Sequence, residues 1–281
     1  MADRLPVAAL AFTATASVRD NTARIRAAID DAVRDGVRLL AVPECALLGY
    51  PGAARADLTG VSWCEIADSE DELGEYARAR DIALVLGTAG PVADGSGISN
   101  DAVACGRWVR PAFRQGGGLV RYRKRHLTPT DEAHFVAGDT MAVFAIEDWR
   151  IGLAICFDVR FPRLWAELAD VGCDAVVAIG HMAGPDPDPG TKSRLIPAML
   201  ATRAAEWVTP ILFANTAAPD RYFDTAAWDA RGVCVASCGE GLLRTEWSRR
   251  SGLDPWYVGL HHRALASWRG ETGDEAPSRV L

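Results

Sequence analysis

Apolar and polar positions follow two periods along the chain. "PVAALAF" (Pro6–Phe12) is a short apolar run of the kind a buried strand makes. From Arg19 to Gly36, Ile25, Ala28, Ile29, Ala32 and Val33 recur at helical spacing, and the pattern stops at a glycine. A second strand follows over Val37–Glu44, a helix over Asp71–Ala83 and a strand over Ala83–Gly90. The middle of the chain is strand-like throughout, at Ile98–Gly106, Gly118–Leu127, Thr140–Ile146 and Arg150–Phe157. Turn signals at Gly116–Gly118 and Gly138–Asp139 separate these runs. Alternation then resumes. Pro162–Gly172 reads as a helix with Pro in its first turn and Gly at its end. A strand over Asp174–Gly180, a helix over Thr191–Trp207 that contains Pro197, and a strand over Thr209–Asn215 follow. A hairpin over Ala226–Ser237 turns at Asp229–Gly232.

Helices alternating with strands around a run of paired strands predict sheets covered by helices, a layered α/β or α+β sandwich. We expect one domain over residues 1–281, with a polar tail from about Trp268. The one loop of biased composition, "AGPDPDPGTK" (Ala183–Lys192), directly follows a strand, where substrate-contacting loops often lie.

Composition narrows the classes. The 30 Lys and Arg against 37 Asp and Glu leave a net charge of −7, which argues against a general nucleic-acid binder. The longest apolar runs are too short to span a bilayer. The opening "MADRLPVAALAF" runs straight into a strand pattern and does not read as a signal peptide. The seven cysteines form no CxxC pair, so a disulfide scaffold or zinc ribbon is not expected and a reducing, cytoplasmic setting is.

Three reactive side chains stand where apolar strands leave the core: Glu44 after "LLAVP", Lys124 in "VRYRKRHL" and Cys156 after "GLAI". Each alone has an ordinary explanation. A Glu after a strand is usually solvated, a Lys among arginines usually lies on a wet face, and a buried free Cys is usually inert packing. Together they make chemistry. A thiol attacking a carbon bound to nitrogen needs a base, and a partly desolvated carboxylate has its pKa raised toward that task. The resulting oxyanion needs a cation and backbone donors, which Lys124 and the Phe157 N–H could supply. A helix starting near Arg160–Pro162 would add favourable potential.

"VPECALLGYP" (Val42–Pro51), "YRKRHL" (Tyr122–Leu127) and "GLAICFDVRFPRL" (Gly152–Leu164) resemble the three signature segments of the nitrilase, or carbon–nitrogen hydrolase, superfamily. They stand in that family's order, and "FVAGDT" and "ATRAAEW" resemble its flanking segments. The resemblance implies a four-layer α-β-β-α sandwich, a homodimer formed through the helix layer after the Cys, and neither metal nor organic cofactor. It also implies Glu44 as general base, Lys124 as oxyanion stabiliser and Cys156 as nucleophile. Family members carry a second glutamate four residues before a "FxxGD"-like segment. Here Asp131 stands four before Phe135 and Glu132 three before; Glu132 is preferred for its longer reach.

The substrate is less constrained. "CFDVRFP" looks like the amidase branches, so a small amide is expected, with a carbamoyl compound or a nitrile as alternatives. Arg160 matches an arginine of branches that handle carboxylated amides, and a guanidinium holds a carboxylate bidentately; an ion pair with Asp158 is the competing role. Phe157 replaces the family's frequent Tyr and keeps its backbone donor. Thr191, Lys192, Leu195 and Ile196 replace a common amidase segment at positions that resemble the pocket wall. His126 is the candidate for a papain-type base. His261 and His262, adjacent in sequence, do not suit one metal ion. Two readings of other classes stay open: an idle binding subunit on the same fold, and a metal-dependent phosphoesterase using Asn100, Asp101 and Asn215.

Overall fold

The computed structural model describes residues 3–113, 118–184 and 191–249. Most of the Pro/Asp loop, His261, His262 and the polar tail lie outside the described residues. In chain order the elements are β1 (Arg4–Ala11), α1 (Val18–Arg34), β2 (Leu39–Ala41), α2 (Trp63–Ala79), β3 (Ala83–Pro91), β4 (Ile98–Gly106), β5 (Arg110–Pro111), β6 (Val120–Arg123) and α3 (Pro129–Glu132). Then come β7 (Val143–Ile146), β8 (Trp149–Ile155), a 3-10 turn (Cys156–Arg160), α4 (Pro162–Asp170), β9 (Ala175–Gly180), α5 (Thr191–Glu206), β10 (Ile211–Asn215), β11 (Thr225–Trp228), β12 (Cys234–Cys238) and β13 (Gly241–Ser248). Chain contacts divide the molecule into Met1–Trp247 and Ser248–Leu281, and the fold described is that of the first unit.

The strands form two sheets among the described residues, ordered β13-β1-β2-β3-β4-β6 and β12-β11-β10-β9-β8-β7-β5. Side chains alternate across a strand, and the first sheet obeys this strictly. Val7, Ala9, Leu39, Ala41, Ala83, Val85, Ala102 and Ala104 face inward and pack with Ile151, Leu153 and Phe213 of the second sheet. Their neighbours Ala8, Leu10, Leu40, Leu84, Leu86 and Val103 face outward, under Ile25 and Ile29 of α1 and Leu73 and Ala77 of α2. On the far side, Leu164, Trp165 and Leu168 of α4 and Ile196, Leu200 and Ala204 of α5 cover the second sheet. Gly152 of β8 makes room for α4, because a Cβ there would stand 2.8 Å from a Leu168 methyl. The layers therefore run α-β-β-α, as expected.

Besides the short β5 and the single turn of α3, which the pattern does not predict, two elements differ for a clear reason. Helix α2 starts at Trp63 rather than Asp71, capped by the Ser62 hydroxyl, which accepts from the Glu65 N–H at 3.3 Å. Its first turns bury only Ile66 and Glu70, so the apolar stripe there is too thin to read. Strand β13, the edge partner of β1, was not foreseen at all. Its inward residues Leu243 and Trp247 are separated by Arg244, Thr245 and Glu246, which blurs the alternation. Among the described residues no helix is long and apolar enough to cross a membrane.

Candidate active site

Three chain segments leave strand ends and meet. Beyond β2 the chain crosses β3 at Gly87, where any side chain would overlap the Pro43 carbonyl; this close approach carries Glu44 between the sheets. Lys124 follows β6 directly. Its N–H donates to the Asn100 carbonyl at 2.8 Å and its own carbonyl accepts from Gly138 at 2.8 Å, so both sides of the residue are pinned. Strand β8 delivers Cys156 in left-handed backbone geometry, φ +50°, which a non-glycine residue adopts only at a cost and which turns the thiol off the strand axis.

All three side chains are buried. The Lys124 ammonium donates to Glu44 Oε1 at 2.7 Å, and the Asn100 amide donates to the same oxygen at 2.8 Å. Glu44 Oε2 accepts the backbone N–H of His181 at 2.8 Å. Burial pushes the Cys156 thiol well up, the neighbouring Glu44 carboxylate adds to that, and Lys124 opposes both. Cys156 is therefore held as the neutral thiol beside the Glu44 side chain. For Lys124, burial alone would lower the pKa, but Cys156, Glu44 and Asp131 outweigh it and hold the ammonium well above its usual range. The cluster brings a thiol, a carboxyl and a buried ammonium together.

The second carboxylate at Lys124 belongs to Asp131, not Glu132. Asp131 Oδ2 accepts from the Lys124 ammonium at 2.8 Å, and from the Thr128 N–H and hydroxyl at 2.8 Å each. Its Oδ1 accepts from the Tyr50 hydroxyl at 2.7 Å. Glu132 is exposed. The reason is local: Thr128 caps the single turn of α3 in a capping box whose N3 residue is Asp131, so that side chain points inward and the next one out. Greater reach does not help a side chain that faces water. Burial pushes Asp131 up, yet Lys124 and the hydrogen bonds around it bring its pKa below the usual value.

A 3-10 turn over Cys156–Arg160 joins β8 to α4, which starts at Pro162 within the range predicted for a helix start. Asp158 braces the turn. Its Oδ2 accepts from the Tyr122 hydroxyl at 2.7 Å and the Ile155 N–H at 3.1 Å. Its Oδ1 accepts the His126 N–H at 2.9 Å and lies 2.7 Å from His126 Nδ1. His126 also stacks on Phe161, so it serves this turn and not the thiol. With Asp158 fully engaged, Arg160 has no ion pair among the described residues; its guanidinium lies over the Phe157 ring at 5.7 Å. Of the positions read as pocket wall, Ile196 packs into the core and Lys192 donates to the Tyr222 hydroxyl at 2.9 Å.

Sequence reasoning missed Tyr50 and His181, whose rings stack at 4.6 Å and 4° beside the buried charges. The clue for Tyr50 was its place in the segment that holds Glu44; His181 gave only its place one residue past an apolar strand. The phosphoesterase candidates do not converge. Asn100 binds Glu44, Asp101 accepts from Ser99 and Arg121, and Asn215 bonds Met182 N–H and the Phe223 carbonyl. Among the described residues no group of three or more His, Cys, Asp or Glu side chains could hold a metal ion.

A family model described as Carbon-nitrogen hydrolase matches residues 7–244. An (R)-stereoselective amidase of Pseudomonas sp is 32% identical over 139 residues, covering 50% of this chain and 46% of that protein. A nitrilase of Pyrococcus abyssi is 29% identical over 168 residues, 59% of this chain and 60% of that protein. The chain thus spans about half the length of these relatives. Among solved structures, a variant of the amidase from Nesterenkonia sp. AN1 superimposes with a TM-score of 0.72 at 25% identity, over 86% of this chain and 92% of that one. That crystal shows Michael addition of acrylamide at the active-site cysteine.

Proposed function

The chain belongs to the carbon–nitrogen hydrolase family, and from that premise we propose that it hydrolyses the C–N bond of a small amide through a thioester on Cys156. The observation that carries this reading is the Cys156 thiol buried with Glu44 and Lys124 in one cluster. As Cys156 Sγ bonds to the amide carbon, Glu44 takes the thiol proton. The carbonyl oxygen becomes an oxyanion facing the Lys124 ammonium and the Phe157 N–H. Collapse breaks the C–N bond, and Glu44 returns its proton to the departing ammonia or amine. Glu44 then takes a proton from water as the water attacks the thioester, the acid leaves, and the thiol recovers its proton. Asp131 holds Lys124 in place. The amidase names of one relative and of the structural neighbour support the amide reading, and the relative named nitrilase keeps a nitrile as the alternative.

A carboxylated substrate is favoured by one specific observation: Arg160, close to the nucleophile in sequence, has a guanidinium with no ion pair among the described residues. A bidentate carboxylate would supply the missing partner. A cytoplasmic homodimer completes the reading; seven unpaired cysteines suit a reducing compartment, and light scattering tests the dimer.

Mass spectrometry of the protein incubated with a panel of amides, carbamoyl compounds and nitriles provides the test. A covalent adduct on Cys156 names the acyl half of the substrate. Cys156→Ala is expected to abolish both adduct and turnover, at a cost of at least about 10³-fold, while leaving the fold intact. Full activity in that variant would overturn the thioester mechanism, and failure to form any adduct would favour a binding subunit.

A further inference from the structure

His181 touches both arms of the site and is assigned no task by the mechanism above. Strand β9 runs parallel to β8 with Ile179 opposite Ile155, so the chain leaves β9 at Gly180 beside the turn that carries Cys156. The main-chain N–H of His181 donates to Glu44 Oε2 at 2.8 Å, the oxygen not held by Lys124 and Asn100. Its ring lies flat on Tyr50 at 4.6 Å, and the Tyr50 hydroxyl donates to Asp131 Oδ1 at 2.7 Å. Asp131 in turn holds Lys124. The imidazole makes no hydrogen bond to another described residue.

We propose that His181 is a positioning residue, whose stack on Tyr50 locks together the base Glu44 and the Asp131–Lys124 arm. This rests on the catalytic reading above. Glu44 can receive the Cys156 proton only if its carboxylate keeps one orientation. Oε1 is fixed by two side-chain donors, and Oε2 by a single peptide N–H whose direction depends on how residue 181 is seated. The flat contact with Tyr50 seats it, and the same contact holds the Tyr50 hydroxyl on Asp131. The charge environment suits a stack. Burial, with Lys124 acting in the same sense and Asp220 opposing, lowers the ring's pKa to about 4, so it is neutral near pH 7 and stacks without desolvating a cation.

The test uses the full chain and three variants: His181→Ala, His181→Leu, which fills similar space without an aromatic face, and His181→Phe, which keeps the stack and loses both nitrogens. Two readings are taken, kcat and KM on propionamide and the pH profile of Cys156 alkylation by iodoacetamide. The Leu and Ala variants are expected to lose 10- to 100-fold in kcat, roughly the effect of displacing a catalytic group by about 1 Å, with KM little changed. Their alkylation profile shifts along the pH axis. Phe restores both readings to within about threefold of the parent, on the ground that stacking and not hydrogen bonding is retained. Wild-type behaviour in the Leu variant overturns the inference. So does a Phe variant as impaired as Leu, which would give the role to the ring nitrogens. Should His181→Ala fail to fold, the Leu and Phe pair decides. Activity in Cys156→Ala would instead sink the thioester reading and leave the alkylation comparison of the His181 variants standing.

Discussion

Two ionic clusters, one dry and one wet, share a composition: one cation between two carboxyls. In the candidate site Lys124 lies between Glu44 and Asp131. Three residues earlier in the chain, Arg121 lies between Glu70 and Asp101, under α2. Their electrostatics differ. The Lys124 side chain is 0% exposed and Arg121 is 39% exposed. Burial wins at Glu70 and Asp101, whose pKa values are raised despite Arg121; at Asp131 the ammonium and hydrogen bonds win, and the value is lowered. The wet guanidinium shares its field with solvent, whereas the dry ammonium does not. Each cluster has a buried thiol in its field, Cys156 at the inner one and Cys105 at the outer, but only Cys156 is hydrogen-bonded to a carboxyl of its cluster. Charge pattern alone therefore does not single out the proposed site; full desolvation of the ammonium beside a hydrogen-bonded thiol does.

Replacing the two cations in turn breaks the comparison most sharply. Lys124→Met leaves Glu44 and Asp131 buried without their partner, a change that costs about 3–5 kcal/mol of stability in other buried pairs. On the proposed mechanism, in which Lys124 faces the oxyanion, its loss should lower kcat by about 10²–10³-fold or more. Arg121→Met leaves two carboxyls that already resist ionisation, and solvent screening limits the loss to about 1–2 kcal/mol. Its activity should match the parent. Denaturant melts and amide turnover of the two variants check this; equal loss of activity in both would show that the outer cluster also serves the reaction.

A smaller but more local effect is expected at Gly87. Its missing side chain lets the Pro43–Glu44 backbone cross β3, and the obstacle to a methyl is main chain, which has nowhere to move. Gly87→Ala should cost about 1–3 kcal/mol from overpacking. Through the shift of Glu44 it should cost a further 10- to 100-fold in kcat/KM, on the scale of a displacement of about 1 Å. The outer cluster, which does not depend on Glu44, keeps its hydrogen bonds. Amide turnover with a crystal structure of the variant tests both halves; an unaltered kcat would mean that Glu44 tolerates displacement.

Sequence made Glu44, Lys124 and Cys156 visible because each is a reactive residue where a strand leaves the core, and a layered sandwich visible because helices alternate with strands, while the four layers came with the family resemblance. Asp131 and Glu132 were both legible, but not which of them turns inward. The choice between adjacent acidic residues depended on which one the Thr128 cap turned inward, a property of one short helical turn. His181 was hidden for a different reason: its contribution is a peptide N–H and a ring stack, and neither needs a distinctive residue spacing. Strand β13 was lost because an edge strand buries only part of one face.

The smallest effect, a pH limb in stability, sets the ring beside the site against the carboxyls of the outer cluster. His181 titrates at about 4 in the folded protein, against about 6.5 for an unperturbed imidazole. Between those values the unfolded chain binds a proton that the folded chain refuses. Stability is therefore complete above about pH 6.5, falls as the pH drops toward 4, and stops falling below that, with a ceiling on the order of 3 kcal/mol. Glu70 and Asp101 contribute with the opposite sign. Their raised values favour the protonated form in the fold, so their contribution weakens as pH rises past the ordinary carboxyl range. Denaturant melts of the parent and of His181→Phe at pH 7 and pH 4.5 isolate the histidine, because every carboxyl and the other histidines are common to both proteins. The parent should lose more stability than the variant on acidification. Parallel loss in the two would mean that the His181 ring is solvated in the folded protein, and the contrast between a dry site and a wet outer cluster would then stop at Lys124.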